Sequence, residues 1–298
     1  MSAADVGVLQ RPNDRLRRRR AVNRVMELVA WLAAVLAVVI LGVVIFSVAR
    51  RGASALSLDF LTKPQAPFVP TAPQGLANAF AGTFIIVGLA ALMALPFGVL
   101  IAIYVNEFAP KGIRNVVTLT LDVLAGVPAI VIGIFVYGLL VVGHHQSGYA
   151  GAFALGVLML PLVSRSTIEV LALVPDSLRE AALGVGAPRW RTTVGVVLPQ
   201  TIGGVLTGAT LAVARVAGET APLLLVCSLV APGTHYNPSQ PLMTVPLAIY
   251  ELSDSPEPAD HARAWAAALV LILFILVVSV AARWLATRSR RKMAQAGR

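Results

Sequence analysis

The stretch VLAGVPAIVIGIFVYGLLVVGHHQSGYAGAFALGVLMLPLVS, residues 123–164, has no charged side chain in 42 consecutive residues. A hydrocarbon core about 30 Å thick is crossed by about 20 apolar residues of α-helix, so this stretch is long enough for two crossings. It is interrupted midway by GHHQSG, residues 143–148, a polar and turn-forming segment. The sequence therefore predicts two membrane-spanning helices joined by a short loop.

Further uncharged stretches lie on both sides of this one, at residues 28–49, 65–106, 192–214 and 264–282. The whole chain of 298 residues is 57% hydrophobic and 13% charged, against about 25% charged residues in a soluble domain, and its mean hydropathy is +0.81. An ordinary soluble protein is excluded. We predict an all-α integral membrane protein with six transmembrane helices, near residues 26–49, 79–105, 116–142, 149–170, 201–229 and 264–286.

The first of these spans has one alternative interpretation, a cleaved signal peptide, because Arg17 to Arg20 precede it. Its apolar core is longer than the about 7–15 residues of a signal peptide, so a retained span is favoured. The single cysteine, Cys227, allows no intrachain disulfide and does not indicate a compartment.

The distribution of basic residues predicts the orientation. A formal charge of +10 in a soluble protein would suggest nucleic acid as a partner. Here 18 of the 24 Lys and Arg belong to the two chain ends and the two loops on one side of the predicted membrane, with Arg283 near the end of the sixth span included, against four on the other side. The richer side faces the cytoplasm, and basic tails there also contact anionic lipid. We expect a multi-pass membrane protein with a cytoplasmic basic tail (1–25), a loop on the opposite side of the membrane (50–78), a core (79–286) and a second cytoplasmic basic tail (287–298).

Two arginines remain inside predicted spans. Arg215 lies near the middle of the fifth span, where a central Arg costs about 2.5–3.5 kcal/mol, and Glu219 follows four residues later on what would be the same helix face. Arg165 and Glu169 repeat this spacing in the fourth span. Both pairs could be structural ion pairs. Alternatively, the arginines could line an anion path, because a guanidinium presents several donors to a tetrahedral oxyanion. Glu219 would then hold Arg215 between passages or accept a hydrogen bond from a protonated phosphate.

The loop after the fourth span, residues 174–199, predicts helix, glycine turn and helix. Ser177 and Glu180 have the spacing of a capping box, and Gly184 or Gly186 suits a helix C-terminus. Gly204 and Gly208 at the start of the next span form a small-residue packing pattern. Packing within the subunit is favoured over a contact with another subunit.

This loop resembles the EAA loop of bacterial ABC-transporter permeases. The resemblance is carried over about 20 residues by Glu180, Ala181, Ala182, Gly186 and the pair Leu198-Pro199, with Val196 where the motif has Ile. It implies that the short helix docks on a separate ATPase subunit and transmits that subunit's motion. It also implies the type I importer permease fold and a location in the bacterial inner membrane, with residues 50–78 as a periplasmic loop.

The sequence is more specifically similar to the PstA-type permeases of phosphate transporters. The similarity is carried by GLANAFAGT (75–83), IYVNE (103–107), AGVPAIVIG (125–133), LVP (173–175) and ARVAGETAPLL (214–224). It implies that Arg165, Arg215 and Glu219 belong to the path of inorganic phosphate. It also implies three partners: a PstC-type permease, a PstB-type ATPase and a PstS-type periplasmic phosphate-binding protein.

Other functions stay open at this point. They are a PstC-type permease, a permease for another oxyanion, a secondary anion carrier or channel, and a sensor of phosphate status. The sequence contains no G-x-x-x-x-G-K-[ST] loop, so we expect no enzymatic activity in this chain. Its four histidines lack metal-ligand spacing, and we expect no metal, cofactor or nucleic-acid partner.

Overall fold

A computed structural model describes residues 14–65, 74–228 and 236–296. Within these ranges the chain is helical and has no β-strand, as the composition predicts. The chain divides between residues 50 and 51 into two units. Parts of the predicted basic tails (1–13, 297–298), of the periplasmic loop (66–73) and of the segment after the fifth span (229–235) lie outside the described residues.

The described part of the first unit is a single helix, α1, which runs over Asp14–Gly52 and ends just inside the second unit. It contains the predicted first span, and residues 14–25 of the predicted tail continue the same helix. Leu36, Val38 and Phe46 are each at least 60% exposed. Large exposed apolar side chains along a helix of this length suit contact with lipid or with another membrane helix.

The second unit, Arg51–Arg298, holds the remaining helices. They are α2 (Leu58–Thr62), α3 (Ala77–Ile103), α4 (Lys111–Gly126), α5 (Ala129–Val136), α6 (Gly148–Ala172), α7 (Asp176–Gly184), α8 (Arg189–Thr192), α9 (Leu198–Val216), α10 (Leu223–Val226), α11 (Val245–Asp254) and α12 (Pro258–Ala296). π-Helical turns extend α3 (Tyr104–Phe108), extend α5 (Tyr137–Val141) and join α8 to α9 (Thr193–Val197).

The centre of the second unit is the pair α3 and α6. Buried small residues such as Ala90, Ala94 and Ala154 let the two backbones approach closely. A Cβ added to Gly98 would lie 2.9 Å from Val163. The predicted second and fourth spans are confirmed, since these helices have the required length and hydropathy.

The predicted third span, residues 116–142, is not one helix. The chain breaks between α4 and α5 and turns by 95°. Proline removes a backbone donor and forces the preceding residue out of the helical region; here Val127, before Pro128, is extended at φ −68° and ψ 129°. Within residues 14–65, 74–228 and 236–296, five helices are therefore long and apolar enough to span a membrane, and the count is six if the bent pair is one span.

The predicted fifth span, residues 201–229, is wrong in its bounds. The apolar helical segment runs over Arg189–Val216, and the chain then leaves the helix through Gly218 and Pro222. Gly204 and Gly208 pack against α6 as predicted, because an added Cβ would lie within 2.5 Å of Val170 and Ser166, respectively. The sixth span lies in α12.

Candidate substrate path and coupling loop

A small cavity lies where the bend between α4 and α5 meets α6 and the end of α9. Its volume is about 70 Å³, several times the space that one water molecule needs. Most of its lining is apolar, and its two charged residues are Arg215 and Glu219. The other lining residues are Leu124, Ala125, Val127, Ala129, Leu158, Leu162 and Val216.

Arg215 lies in the last turn of α9 rather than in the middle of a span. The helix ends at Val216, so Glu219 does not share a helix face with Arg215, and the predicted i, i+4 relation is wrong. The two side chains still line the same cavity. Among the described residues neither makes an ion pair or a side-chain hydrogen bond. A cation in the last turn is favoured by the helix dipole, and the guanidinium donors remain available.

Two of the sequence motifs meet at this cavity. The bend belongs to the segment 125–133, and Arg215 and Glu219 belong to the segment 214–224. They touch at Gly133, where an added Cβ would lie 2.7 Å from Pro222 Cα. Only glycine leaves room for this approach, so Gly133 allows the bent pair to pack against the segment after α9.

Arg165 has a different partner from the one predicted. Its Nε lies 3.1 Å from Oδ1 of Asp122 on α4, while Glu169 is exposed and makes no ion pair among the described residues. The reason is tertiary, because α4 packs against α6 at this level. Arg165 is not a lining residue of the cavity, but Leu162 on the preceding turn of α6 is.

The loop between α6 and α9 forms the predicted helix, turn and helix. The capping box is wrong, because α7 begins at Asp176 and its N-cap is Pro175, with no side-chain cap. The C-terminus is as predicted. Gly186 has φ +83°, its N–H donates to Leu183 O, and Ala187 N–H donates to Ala182 O, which is a Schellman motif.

The outer surface of this loop is open. Glu180 and Ala181 are exposed and Ala182 is half-buried, and α7 contributes no fully buried residue. Large apolar side chains also face outward, with Val185 at 86% and Trp190 at 58% exposed. Exposed apolar side chains on one loop favour contact with a partner.

The inner side of α7 holds an ion pair that the sequence analysis missed. Arg179 Nη2 lies 2.9 Å from Oε1 of Glu107, and this hydrogen bond raises the pKa of Arg179 above its ordinary value. The available sequence signal was weak: Glu107 is the first charge after the uncharged residues 65–106. The pair borders a polar cavity of about 420 Å³ lined by Asn106, Glu107, Arg114, Ala172, Asp176, Arg179, Leu183, Arg189, Thr192 and Thr193.

These features define a polytopic α-helical membrane protein, with a small cavity lined by two charged residues and a loop whose outer surface is exposed. Among the described residues, no group of His, Cys, Asp or Glu could hold a metal ion.

Comparison with known proteins identifies the family. The family model described as "Binding-protein-dependent transport system inner membrane component" matches residues 94–291. The phosphate transport system permease protein PstA of Haemophilus influenzae is 37% identical over 267 residues, covering 89% of this chain and 94% of that protein. PstA 1 of Mycobacterium tuberculosis is 42% identical over 226 residues, covering 73% and 72%. The chain belongs to this family of inner-membrane transport components, in its PstA group, and is a multi-pass inner-membrane protein.

Solved structures agree on the fold. A chain in the crystal structure of a bacterial alginate ABC transporter, in complex with an alginate pentasaccharide-bound periplasmic protein, has a TM-score of 0.65 at 16% identity and covers 90% of this chain and 96% of its own length. A chain of the MetNI methionine ABC transporter has a TM-score of 0.56 at 19% identity, covering 72% and 94%. The type I importer permease fold is therefore confirmed.

Proposed function

We propose that this chain is the PstA-type permease subunit of an ATP-driven phosphate importer. The observation that carries the proposal is the cavity that Arg215 and Glu219 share at the bend between α4 and α5. An arginine without an ion-pair partner among the described residues can direct a planar fork of donors at a tetrahedral oxyanion, and it keeps its charge at any physiological pH.

Glu219 suits phosphate in particular. Glu219 lines the same cavity as Arg215, and a carboxylate can accept a hydrogen bond from a protonated phosphate oxygen. Fully ionised sulfate has no such proton to donate. Arg165 lies outside the cavity lining and is bonded to Asp122, so we assign it a supporting position beside the path.

A second permease subunit of the PstC type completes the path. Arg215 is exposed at the side of the cavity, and an arginine facing hydrocarbon is costly. The cavity is also small for a passage through a membrane. A partner helix that covers this side would remove Arg215 from lipid and form the other wall.

The loop that carries Glu180, Ala181, Ala182 and Gly186 docks on a PstB-type ATPase. The open apolar surface around Val185 and Trp190 supports this assignment, and the fixed turn at Gly186 gives the loop one shape. ATP hydrolysis takes place on that subunit. The basic tails and this loop lie in the cytoplasm, and a PstS-type binding protein delivers phosphate from the periplasm.

Reconstitution in proteoliposomes tests this function. The chain is assembled with a second permease, the ATPase and the binding protein, and uptake of labelled phosphate is measured. We expect uptake that requires ATP and that sulfate does not compete for. Uptake driven by a proton gradient without ATP would instead identify a secondary carrier.

The docking loop has its own test. Ala182→Arg places a long charged side chain at a half-buried loop position and should release the ATPase on co-purification, while the second permease is retained. Ser177→Ala is the matched control, because Ser177 forms no side-chain cap on α7. Retention of the ATPase by Ala182→Arg would exclude the docking role.

A further inference from the structure

The contact between Arg179 and Glu107 uses the full donor set of one arginine. Nε and Nη2 of Arg179 donate to the two carboxylate oxygens of Glu107 at 3.2 and 2.9 Å. Nη2 also donates to Leu171 O, and Nη1 donates to Val174 O and to the Asp176 carboxylate. A guanidinium has five N–H groups, and all five are bonded here.

These bonds join three separate elements. Glu107 belongs to the π-helical turn that ends α3. Leu171 lies in the last turn of α6, and Val174 follows it. Arg179 itself belongs to α7. Asn106 also donates to Glu107 Oε1 at 2.7 Å, the oxygen that accepts from Arg179 Nη2, so a second donor holds the carboxylate in place.

The rest of α7 contacts α8 and the π-helical turn Thr193–Val197 but makes little contact with α3 and α6. It contributes no fully buried side chain, and Leu178 and Leu183 are 39% and 43% exposed. By contrast, the side chains of Arg179 and Glu107 are only 17% and 8% exposed. The buried connection between α7 and the ends of α3 and α6 is therefore polar and is centred on one side chain.

The connection continues to the charged cavity. α6 runs from Leu171, whose carbonyl Arg179 holds, back to Leu162 and Leu158, which line the cavity with Arg215. Along this length α3 and α6 are closely packed at Gly98 and Gly156. Close-packed helices move together rather than deform, so a shift of α7 is passed to the wall of the cavity.

We propose that Arg179 and Glu107 are the positioning pair that transmits the movement of α7 to α3 and α6, and so couples ATP hydrolysis to passage of the anion. This inference rests on the proposed function. Lysine cannot replace Arg179 in this role, because an ammonium has three donors and no planar fork for the Glu107 carboxylate.

The test uses the complete transporter in proteoliposomes and measures phosphate taken up per ATP hydrolysed. Arg179→Lys and Glu107→Gln should keep the ATPase bound and hydrolysing ATP, while uptake per ATP falls at least tenfold. The double variant should be no worse than either single variant, since both remove the same linkage. The matched control is Arg114→Ala, which removes an exposed arginine from the same polar cavity and should leave the ratio unchanged.

A second measurement tests the inference if the Arg179 and Glu107 variants assemble poorly. Glu107→Cys and Arg179→Cys are combined with Cys227→Ser and joined by a reducible bifunctional cross-linker. Uptake per ATP should rise when the link is present and fall again on reduction. An unchanged ratio in Arg179→Lys, an equal fall in uptake and hydrolysis, or a cross-linked pair indifferent to reduction would overturn the inference. If the unaltered transporter showed no ATP-driven phosphate uptake, the proposed function would fail instead.

Discussion

Arg215 and Arg179 each lie close to a glutamate, yet they differ in how many of their hydrogen-bond donors are bonded. All five N–H groups of Arg179 donate hydrogen bonds, to Glu107, Asp176 and two backbone carbonyls. Arg215 makes no ion pair among the described residues and borders a cavity with Glu219. A guanidinium whose donors are all bonded fixes the positions of the elements around it, whereas one with free donors can bind an anion. Proximity of the two residue types does not distinguish these roles; the donor count does.

The largest effect is expected at the free arginine. Arg215→Ala should lower phosphate uptake by about 100-fold or more, because it removes charged hydrogen bonds of about 1.5–3 kcal/mol each and about 1.4 kcal/mol is a factor of ten. The fold of this chain should be unchanged, since Arg215 bonds no other described side chain. The measurement is ATP-driven uptake together with co-purification of the partner subunits.

Leu206→Ala is the control for this variant. Leu206 is an exposed residue of α9 that lies nine residues before Arg215, on the opposite face of a helix with about 3.6 residues per turn. If Arg215→Ala lost the partner subunits rather than uptake, Arg215 would be structural, and the contrast with Arg179 would disappear.

Arg179, whose donors are all bonded, should instead affect the stability of α7. Arg179→Ala leaves Glu107 buried without its partner, and breaking a buried pair costs about 3–5 kcal/mol. Because the pair keeps some exposure, we expect about 3 kcal/mol, which appears as about 100-fold faster hydrogen exchange of the α7 amides. Arg215→Ala should leave α7 exchange unaltered. Equal exchange in the two variants would show that Arg179 does not hold α7.

The pH dependence follows from the same pair. Glu107 raises the pKa of Arg179 above its ordinary value. The pair therefore stabilises α7 fully at any pH below the ordinary arginine pKa. This stabilisation is lost only as the pH rises through the raised pKa of Arg179. The protection of α7 should therefore stay constant between about pH 6 and 9, a range far below the ordinary pKa of an arginine.

A smaller effect is expected at Glu219. Glu219→Gln keeps the size of the side chain but weakens the acceptor for a protonated phosphate oxygen, so uptake should fall about tenfold, the value of one charged hydrogen bond. Glu169→Gln is the control, because Glu169 is exposed and makes no ion pair among the described residues. An unchanged rate in Glu219→Gln would remove Glu219 from the path and leave Arg215 acting alone.

The smallest effect is expected at the ion pair between Arg165 and Asp122. Arg165 and Asp122 are 37% and 49% exposed, and exposed ion pairs contribute about 0.2–1 kcal/mol. Asp122→Asn should therefore change uptake by less than about fivefold and leave α7 exchange unaltered. A loss as large as that of Arg215→Ala would place Arg165 in the anion path itself.

Features carried by local pattern were predicted well. The long apolar stretches gave the helical membrane class, because about 20 apolar residues can satisfy their backbone groups in lipid only as a helix. The turn at Gly186 was also predicted, since glycine is the residue best able to adopt its positive φ. The break in the helix at Val127 and Pro128 was not predicted. The stretch is apolar throughout, and hydropathy does not indicate a change in the direction of the chain.

The sequence by itself determined that this chain is a polytopic helical protein of the permease family, and it singled out Arg215, Glu219 and the loop around Glu180. It did so because hydropathy and motif spacing are local properties. Only the tertiary structure decided which charges meet: Arg165 with Asp122 rather than Glu169, and Arg179 with Glu107, 72 residues away. Such pairs depend on how α3, α4, α6 and α7 pack, and packing brings together residues whose separation in the sequence carries no signal.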